Sequence, residues 1–504
     1  MMRKKPVLDY RNSHQPLSVK NELRYSLLEK IRKGEDSLLD IHGREETKAD
    51  VIRTILSGHN CFLVSREGTG KTRLAESLAK LLPPVPKIKG CPYNDDPKWP
   101  SHWLCPRCRE TEHPAEEFGV EFIEGKQRYS RIQGNEYTNE AKILGLKDIQ
   151  AIAKGESPTD PKVFMGTGVL RGNRGIVCVD ELPAIPTKVQ VLFHPILQES
   201  KVILEEYNWE RPIDICFIAT GNPEGFSHVN KIPEPLLDRL ELIPMAMPSE
   251  EVEREIMYME KFRVKSDFYE EDQLEVTRPF QPDLELLERN VCIPWWIADI
   301  INQSARYTRE CPNMDKGASI RGPIKAMDHT YASVEMRNGY VANLKDASLA
   351  LKLALRGRIK LRPDLLGLGE KPEESFKKID ENIEDVMWHA ANSVATNIYE
   401  SATCEKEKIG EELKSLLSTD FERLTEKIAD FPELNRMIAQ IEKKVPDRQY
   451  NPMEKELFYS AGKTNAKVLE EYHMSALELV GNMEAYGEIV KDLNKERIYI
   501  PKKL

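Results

Sequence analysis

Apolar residues follow two rhythms along this chain, and the change of rhythm divides it. From about Asp40 to Met247, short runs rich in β-branched and aromatic residues (NCFLVS at 60–65, GIVCVDEL at 175–182, IDICFIATGNP at 213–223) alternate with helical stretches such as TRLAESLAKLL at 72–82. Such alternation predicts βαβ units around a mainly parallel sheet packed between helices. Between Pro248 and about Leu366 the spacing becomes helical, opening at PSEEVEREIMYMEKF, where Ser249 is placed to cap and Glu251 to Glu255 supply first-turn acids. Beyond Lys371 the chain is charge-rich, with apolar residues three and four apart at Ile383, Val386, Met387, Ala390 and Val394, at Phe421, Leu424 and Ile428, and at Leu469, Tyr472, Leu479, Met483, Tyr486 and Ile489. That spacing marks amphipathic helices. The expectation is an α/β core at 1–247, a small helical lid at 248–370, and an α-helical carboxy-terminal extension at 371–504 that serves partner interaction.

Composition narrows the function classes. The chain has 504 residues, a formal net charge of −10 and a pI near 5.7, so it carries no global attraction for nucleic acid or an anionic membrane. No apolar run approaches the ~18–20 residues that span a bilayer, and the start, MMRKKPVLDYRNS, has basic residues with no apolar stretch behind them. The chain reads as cytoplasmic and without a membrane partner. Its nine cysteines are scattered rather than arranged as a disulfide framework, apart from three close together in the segment 88–120.

The chemistry lies at the ends of the apolar runs. Ser65-Arg66-Glu67-Gly68-Thr69-Gly70-Lys71-Thr72 follows one such run and precedes a helical one, the context of a phosphate-binding loop. There the backbone N–H groups of Gly68, Thr69 and Gly70 would cradle phosphates, Lys71 would reach the β and γ groups, and the Thr72 hydroxyl would ligate Mg²⁺. Ser65 stands where the usual pattern has its first glycine; a glycine turn with a surface lysine is the plain alternative. The run ending in Asp180-Glu181 supplies the acids such a loop needs, Asp180 for Mg²⁺ and Glu181 to polarise the attacking water. Exposed acids at a turn would look the same in isolation. A third run ends at Gly221-Asn222-Pro223, where the Asn222 amide could orient that water, although Asx-Pro turns are common.

In this order these residues resemble the AAA+ ATPases, and finer features resemble the magnesium chelatase I-subunit and its MoxR relatives. Ile41-His42-Gly43-Arg44-Glu45-Glu46-Thr47-Lys48 looks like the box that lies against adenine in that family, which brings in Ile41 and Gly43. Gly145-Leu146-Lys147-Asp148 and the stretch from Gly168 to Gly175 look like the segment before the acidic strand. The resemblance implies an insertion within about 130–161 and a β-hairpin around 201–212. It also implies that Arg239, in Pro235-Leu236-Leu237-Asp238-Arg239-Leu240, is an arginine finger reaching a neighbour's γ-phosphate. Arg321, in Ala318-Ser319-Ile320-Arg321, becomes a sensor contacting phosphate from its own subunit. The resemblance covers about 16–366.

The function it implies is ATP hydrolysis with Mg²⁺ by a self-assembled ring, a hexamer, that remodels a protein client or a partner bearing a von Willebrand A domain. Two other readings stay open: a nucleotide-gated regulatory scaffold, and a serine protein kinase of the PrkA type, to whose AAA domain the segment 91–113 bears a more distant likeness. No H-R-D or D-F-G kinase signature occurs in the tail.

Cys105-Pro106-Arg107-Cys108 has the spacing of a zinc knuckle, with Cys91 upstream and His102 or His113 as a fourth ligand. His102 is the nearer candidate. Three reduced thiols in a surface loop, or a redox pair, are the alternatives.

Overall fold

A computed structural model describes residues 15–38, 41, 43–65, 69–222, 230–246, 252, 286, 289–319, 321–367, 372–418, 430–443, 466–493 and 498–503. The expected helix start at Ser249 and the apolar set at Phe421, Leu424 and Ile428 lie outside these residues. The chain divides into two compact units, Met1–Glu288 and Arg289–Leu504.

In the first unit the strands are, in chain order, β1 (Asn60–Val64), β2 (Val85–Ile88), β3 (Val120–Ile123), β4 (Tyr129–Gln133), β5 (Gly145–Lys147), β6 (Phe164–Gly166), β7 (Gly175–Asp180), β8 (Lys201–Leu204), β9 (Trp209–Pro212), β10 (Ile215–Gly221) and β11 (Leu240–Pro244). Five of them form one sheet in the order β11-β1-β10-β7-β4, and every pairing in it is parallel. Strands β1, β7 and β10 are buried along their whole length. That burial on both faces explains why they read as unbroken apolar runs. The remaining strands pair antiparallel as β2–β3, β5–β6 and β8–β9. The hairpin expected around 201–212 is present as β8–β9, and within the segment 130–161 expected to hold an insertion lie most of edge strand β4 and all of β5.

Helices α1 (Val19–Lys33), α2 (Glu45–Leu56), α3 (Lys71–Ala79) and α4 (Phe193–Glu199) belong to the same unit. Three buried arginines tie its outer segments to the sheet and to one another. Arg128, just before β4, pairs with Glu22 of α1; Arg174, just before β7, pairs with Asp96 at 2.7 Å; Arg211 of β9 pairs with Asp95 at 2.9 Å. Each of the three is at most 2% exposed. Charges so buried persist because each is paired and further hydrogen-bonded, as Arg128 is to the carbonyl oxygens of Arg174 and Pro83.

The second unit is helical: α5 (Trp295–Tyr307), α6 (Arg321–Met336), α7 (Leu344–Leu355), α8 (Pro372–Ser401), α9 (Lys406–Ser418), α10 (Pro432–Lys443) and α11 (Ala466–Gly481). The segments expected separately as lid and extension share one apolar core here, running from Val291 through Leu351 and Met387 to Tyr486. Trp296 shows why: its ring lies edge-on to Tyr472 at 5.0 Å, and its Nε1 donates to Ser475 Oγ at 3.2 Å. Neighbouring Trp295 donates to the carbonyl of Ile441 at 3.0 Å. The tail thus covers the apolar face of α5. Among the described residues no helix is long and apolar enough to cross a membrane.

Candidate nucleotide site

The register of the sheet decides which residues meet. Val64 pairs with Gly221 across β1–β10, and Val179 pairs with Ala219 across β7–β10, so the loop after β1, the acids ending β7 and the amide after β10 emerge side by side at the carboxyl edge. Ligands of open parallel sheets bind at that edge.

At the loop, Ser65 donates its backbone N–H to the Gly221 carbonyl at 3.2 Å, and its hydroxyl pairs with that of Thr69. Serine in place of the usual first glycine therefore closes the turn by a side-chain contact. Gly70 caps α3 with φ 86°, a left-handed conformation that a side chain would strain. Gly68 lies outside the described residues. Lys71 Nζ donates to the Ser65 carbonyl at 2.7 Å and to Asn222 Oδ1 at 3.2 Å, and stands 3.9 Å from Glu181 Oε1. Lysine, amide and carboxylate are thus brought within one small volume.

Asp180 is the most heavily bonded of the acids. Its Oδ1 accepts from Thr220 Oγ1 at 2.6 Å; its Oδ2 accepts from Arg131 Nε at 3.1 Å and from Thr72 Oγ1 at 3.4 Å. Burial opposes its ionisation, but the hydrogen bonds from Thr220 and Arg131 outweigh that, and its carboxyl is held below the usual range. An ionised carboxylate and a hydroxyl sharing one locus at the start of a helix match what Mg²⁺ takes beside a phosphate, one or two protein oxygens with the remainder from substrate and water. Thr72 and Asp180 fit that ion. Glu181 itself has φ 58° and ψ 54°, left-handed for a non-glycine residue, and its N–H donates to Thr220 Oγ1 at 3.0 Å. That turn points the Glu181 side chain toward Lys71 rather than back along the strand.

Of the adenine-side residues, Ile41 is buried, and Gly43 backs onto Val252, whose Cγ2 would lie 2.8 Å from an added Cβ. Arg44, in the same stretch, had no role assigned from the sequence; its Nη1 lies 3.5 Å from where a Cβ on Gly70 would be, and its buried Nε has no hydrogen-bond partner among the described residues. Three more residues that frame the acids escape a reading of the sequence. Thr220 carries a weak signal, a polar residue closing an apolar run. Arg131 carries none, since the β4–β7 register alone puts it beside Asp180. Gly134 donates its N–H to the Asp180 carbonyl at 2.7 Å, so close that a Cβ there would lie 2.3 Å from the Glu181 oxygen.

Arg239 is not with this group. It precedes β11, whose Leu240 pairs with Asn60, so it stands at the amino edge while the loop leaves from Val64 at the other end. The intervening strand is about 13 Å at ~3.3 Å per residue. Its guanidinium bonds the Pro235 carbonyl and the Gln198 side chain of α4. Arg321 belongs to the second unit, exposed at the first residue of α6. In the cysteine segment, Cys91, Cys105 and Cys108 are brought together as expected, but His102 is not with them: it is exposed, edge-on to Trp103, and Asp95 takes the fourth position. The reason is local. The short turn Ser101–Trp103 faces outward, whereas Asp95 is drawn inward by Arg211.

Residues 120–240 match the AAA domain (dynein-related subfamily). Beyond that segment the chain is similar to magnesium-chelatase subunits. The Euglena gracilis magnesium-chelatase subunit ChlI is 24% identical over 360 residues, covering 67% of this chain and 95% of that one. The Acidiphilium rubrum magnesium-chelatase 38 kDa subunit is 23% identical over 302 residues, 59% of this chain and 82% of that one. The Heliobacterium mobile magnesium-chelatase 67 kDa subunit is 30% identical over 168 residues, 32% of this chain, which spans 24% of that subunit's length. A candidate ATPase from Cytophaga hutchinsonii overlaps 72% of the chain at 18% identity with a TM-score of 0.49.

Proposed function

We propose that this chain hydrolyses ATP at the carboxyl edge of its sheet and uses the turnover, as one subunit of a ring, to remodel a protein partner. The observation that carries the reading is the convergence of Lys71, Thr72, Asp180, Glu181 and Asn222 at one end of three adjacent strands. Lys71 and the amides before α3 bind the triphosphate and orient its γ group. Thr72 and Asp180 would hold Mg²⁺, which would supply positive charge against the phosphate oxygens. Asn222 aligns the attacking water, and Glu181 accepts its proton at a carboxylate oxygen. Arg44, whose Nη1 lies beside Gly70, adds a further cation on the loop side.

The ring follows from Arg239. A cation at the amino edge of its own sheet does not reach its own loop, and a finger of this kind contributes roughly 10³–10⁵ in rate in other nucleotide hydrolases. Supplied by the next subunit it would complete the site, and the resemblance to chelatase subunits favours six subunits in that ring. Arg321 as a phosphate sensor, a client protein, and a partner with a von Willebrand A domain come from the resemblance alone.

Mixing decides the matter. Arg239→Ala subunits and Glu181→Gln subunits, each inactive alone, regain part of the wild-type turnover when combined, because some interfaces then join an intact Glu181 to an intact Arg239. An active Arg239→Ala chain, or turnover per subunit independent of protein concentration in a confirmed monomer, would overturn the finger. Wild-type turnover no faster than that of Glu181→Gln would favour the nucleotide-gated scaffold.

A further inference from the structure

The nucleotide chemistry makes no use of the cysteine segment, yet its ligand-bearing side chains are among the most buried in the first unit. Cys91, Cys105, Cys108 and Asp95 are each at most 1% exposed, and each offers a ligand atom within 4.8 Å of the other three. Cys91 Sγ lies 3.8 Å from Cys105 Sγ. A disulfide would need about 2.05 Å. Four ligands on a tetrahedron with metal–sulfur bonds of ~2.3 Å stand about 3.8 Å apart along each edge, the separation of the Cys91–Cys105 pair.

The surroundings are those of a metal site rather than of idle thiols. The backbone N–H of Asp95 donates to Cys91 Sγ at 3.4 Å, an orientation that suits an anionic sulfur. The Asp95 carboxylate is fixed by two donors, the Cys105 N–H at 2.6 Å on Oδ2 and Arg211 Nη2 at 2.9 Å on Oδ1. A carboxylate offers about four lone-pair positions, so both bonds leave capacity for a metal. Bonds of this kind orient ligating groups and tune their basicity. Three soft sulfurs and one oxygen exclude Mg²⁺ and Ca²⁺, which take oxygen, and four protein ligands leave no open position for catalysis.

We propose that Cys91, Asp95, Cys105 and Cys108 hold one structural zinc ion that staples the insertion and, through Arg211, fixes the β8–β9 hairpin beside it. Binding replaces the thiol protons by the metal and releases them to solvent, with no change of oxidation state. The segment 91–108 buries Tyr93 and Leu104 but has no regular strand or long helix of its own, and the ion supplies a cross-link within it. The hairpin gains because Arg211 is at once part of β9 and the partner of a ligand.

The test uses the full-length chain purified without chelator. Elemental analysis gives about one zinc per chain, and Co²⁺ added to the stripped protein gives the intense visible bands of a tetrahedral, thiolate-rich site. Changing Cys105 and Cys108 together to Ser removes both signals. Because that variant could fail to fold, two milder changes carry the assignment: Asp95→Asn releases zinc to a chromophoric chelator faster than wild type, and His102→Ala releases it at the wild-type rate. Stripping the metal speeds amide hydrogen exchange across 201–212 while α1 stays protected. No zinc with no Co²⁺ bands overturns the site, as does iron in its place. Loss of zinc in His102→Ala with retention in Asp95→Asn overturns the ligand set, and unchanged exchange in the hairpin overturns the staple.

Discussion

Glu181→Gln separates binding from chemistry, and the structure sets its magnitude. Glutamine keeps the size of the side chain and the left-handed turn at φ 58°, together with the backbone bond to Thr220, and removes only the charge. That charge stands 3.9 Å from Lys71 Nζ on a side chain 27% exposed. At an effective dielectric constant of ~20 the pair interacts by about 4 kcal/mol, and solvent screening at a partly exposed group brings the realised coupling nearer about 1 kcal/mol. The lysine so released, and the anion no longer facing the triphosphate, both favour ATP. Affinity should therefore hold or rise, by up to about fivefold for ~1 kcal/mol. Turnover should fall by about 10²–10⁴-fold, the usual contribution of a positioned base. A fluorescent ATP analogue titrated into wild type, Glu181→Gln and Lys71→Ala, with phosphate release measured on the same preparations, reads both quantities. Lys71→Ala loses binding. Should Glu181→Gln lose affinity as Lys71→Ala does, or turn over within about threefold of wild type, the division of roles is wrong.

Two further outcomes test the framework around the site and the second unit. Gly134→Ala, which touches no nucleotide, drives a Cβ to 2.3 Å from the Glu181 carbonyl oxygen; we expect a loss of stability of about 1–3 kcal/mol in urea unfolding of the first unit and a larger loss of turnover than of expression. His473 of α11, hydrogen-bonded to Glu442 of α10, has its pKa raised by that bond against the opposing effect of burial. Its contribution to stability is then full below the unfolded value of about 6.5 and is lost as pH rises through the higher folded value. Thermal unfolding of the second unit should fall over that window in wild type and lose the dependence in Glu442→Gln.

Wherever a single local stretch carried the physics, the sequence was sufficient. The apolar runs of β1, β7 and β10, buried throughout, forecast the parallel sheet, because residues with water on neither side need no polar alternation. Strand, loop, lysine and helix lie within one continuous stretch, so Lys71 and Thr72 were legible, as were the acids closing β7. Contacts between distant stretches were not. Arg131 meets Asp180 because β4 and β7 pair in one register, and Asp95 displaces His102 from the cysteines because Arg211, over a hundred residues on, holds it inward. The same limit governed the tail. Its spacing of three and four announced helices, but which apolar face they would cover was undetermined until α11 packed Tyr472 on Trp296. Periodicity fixes which side of an element is buried; what buries it is a property of long-range packing, and that is decided only when the whole chain has closed on itself.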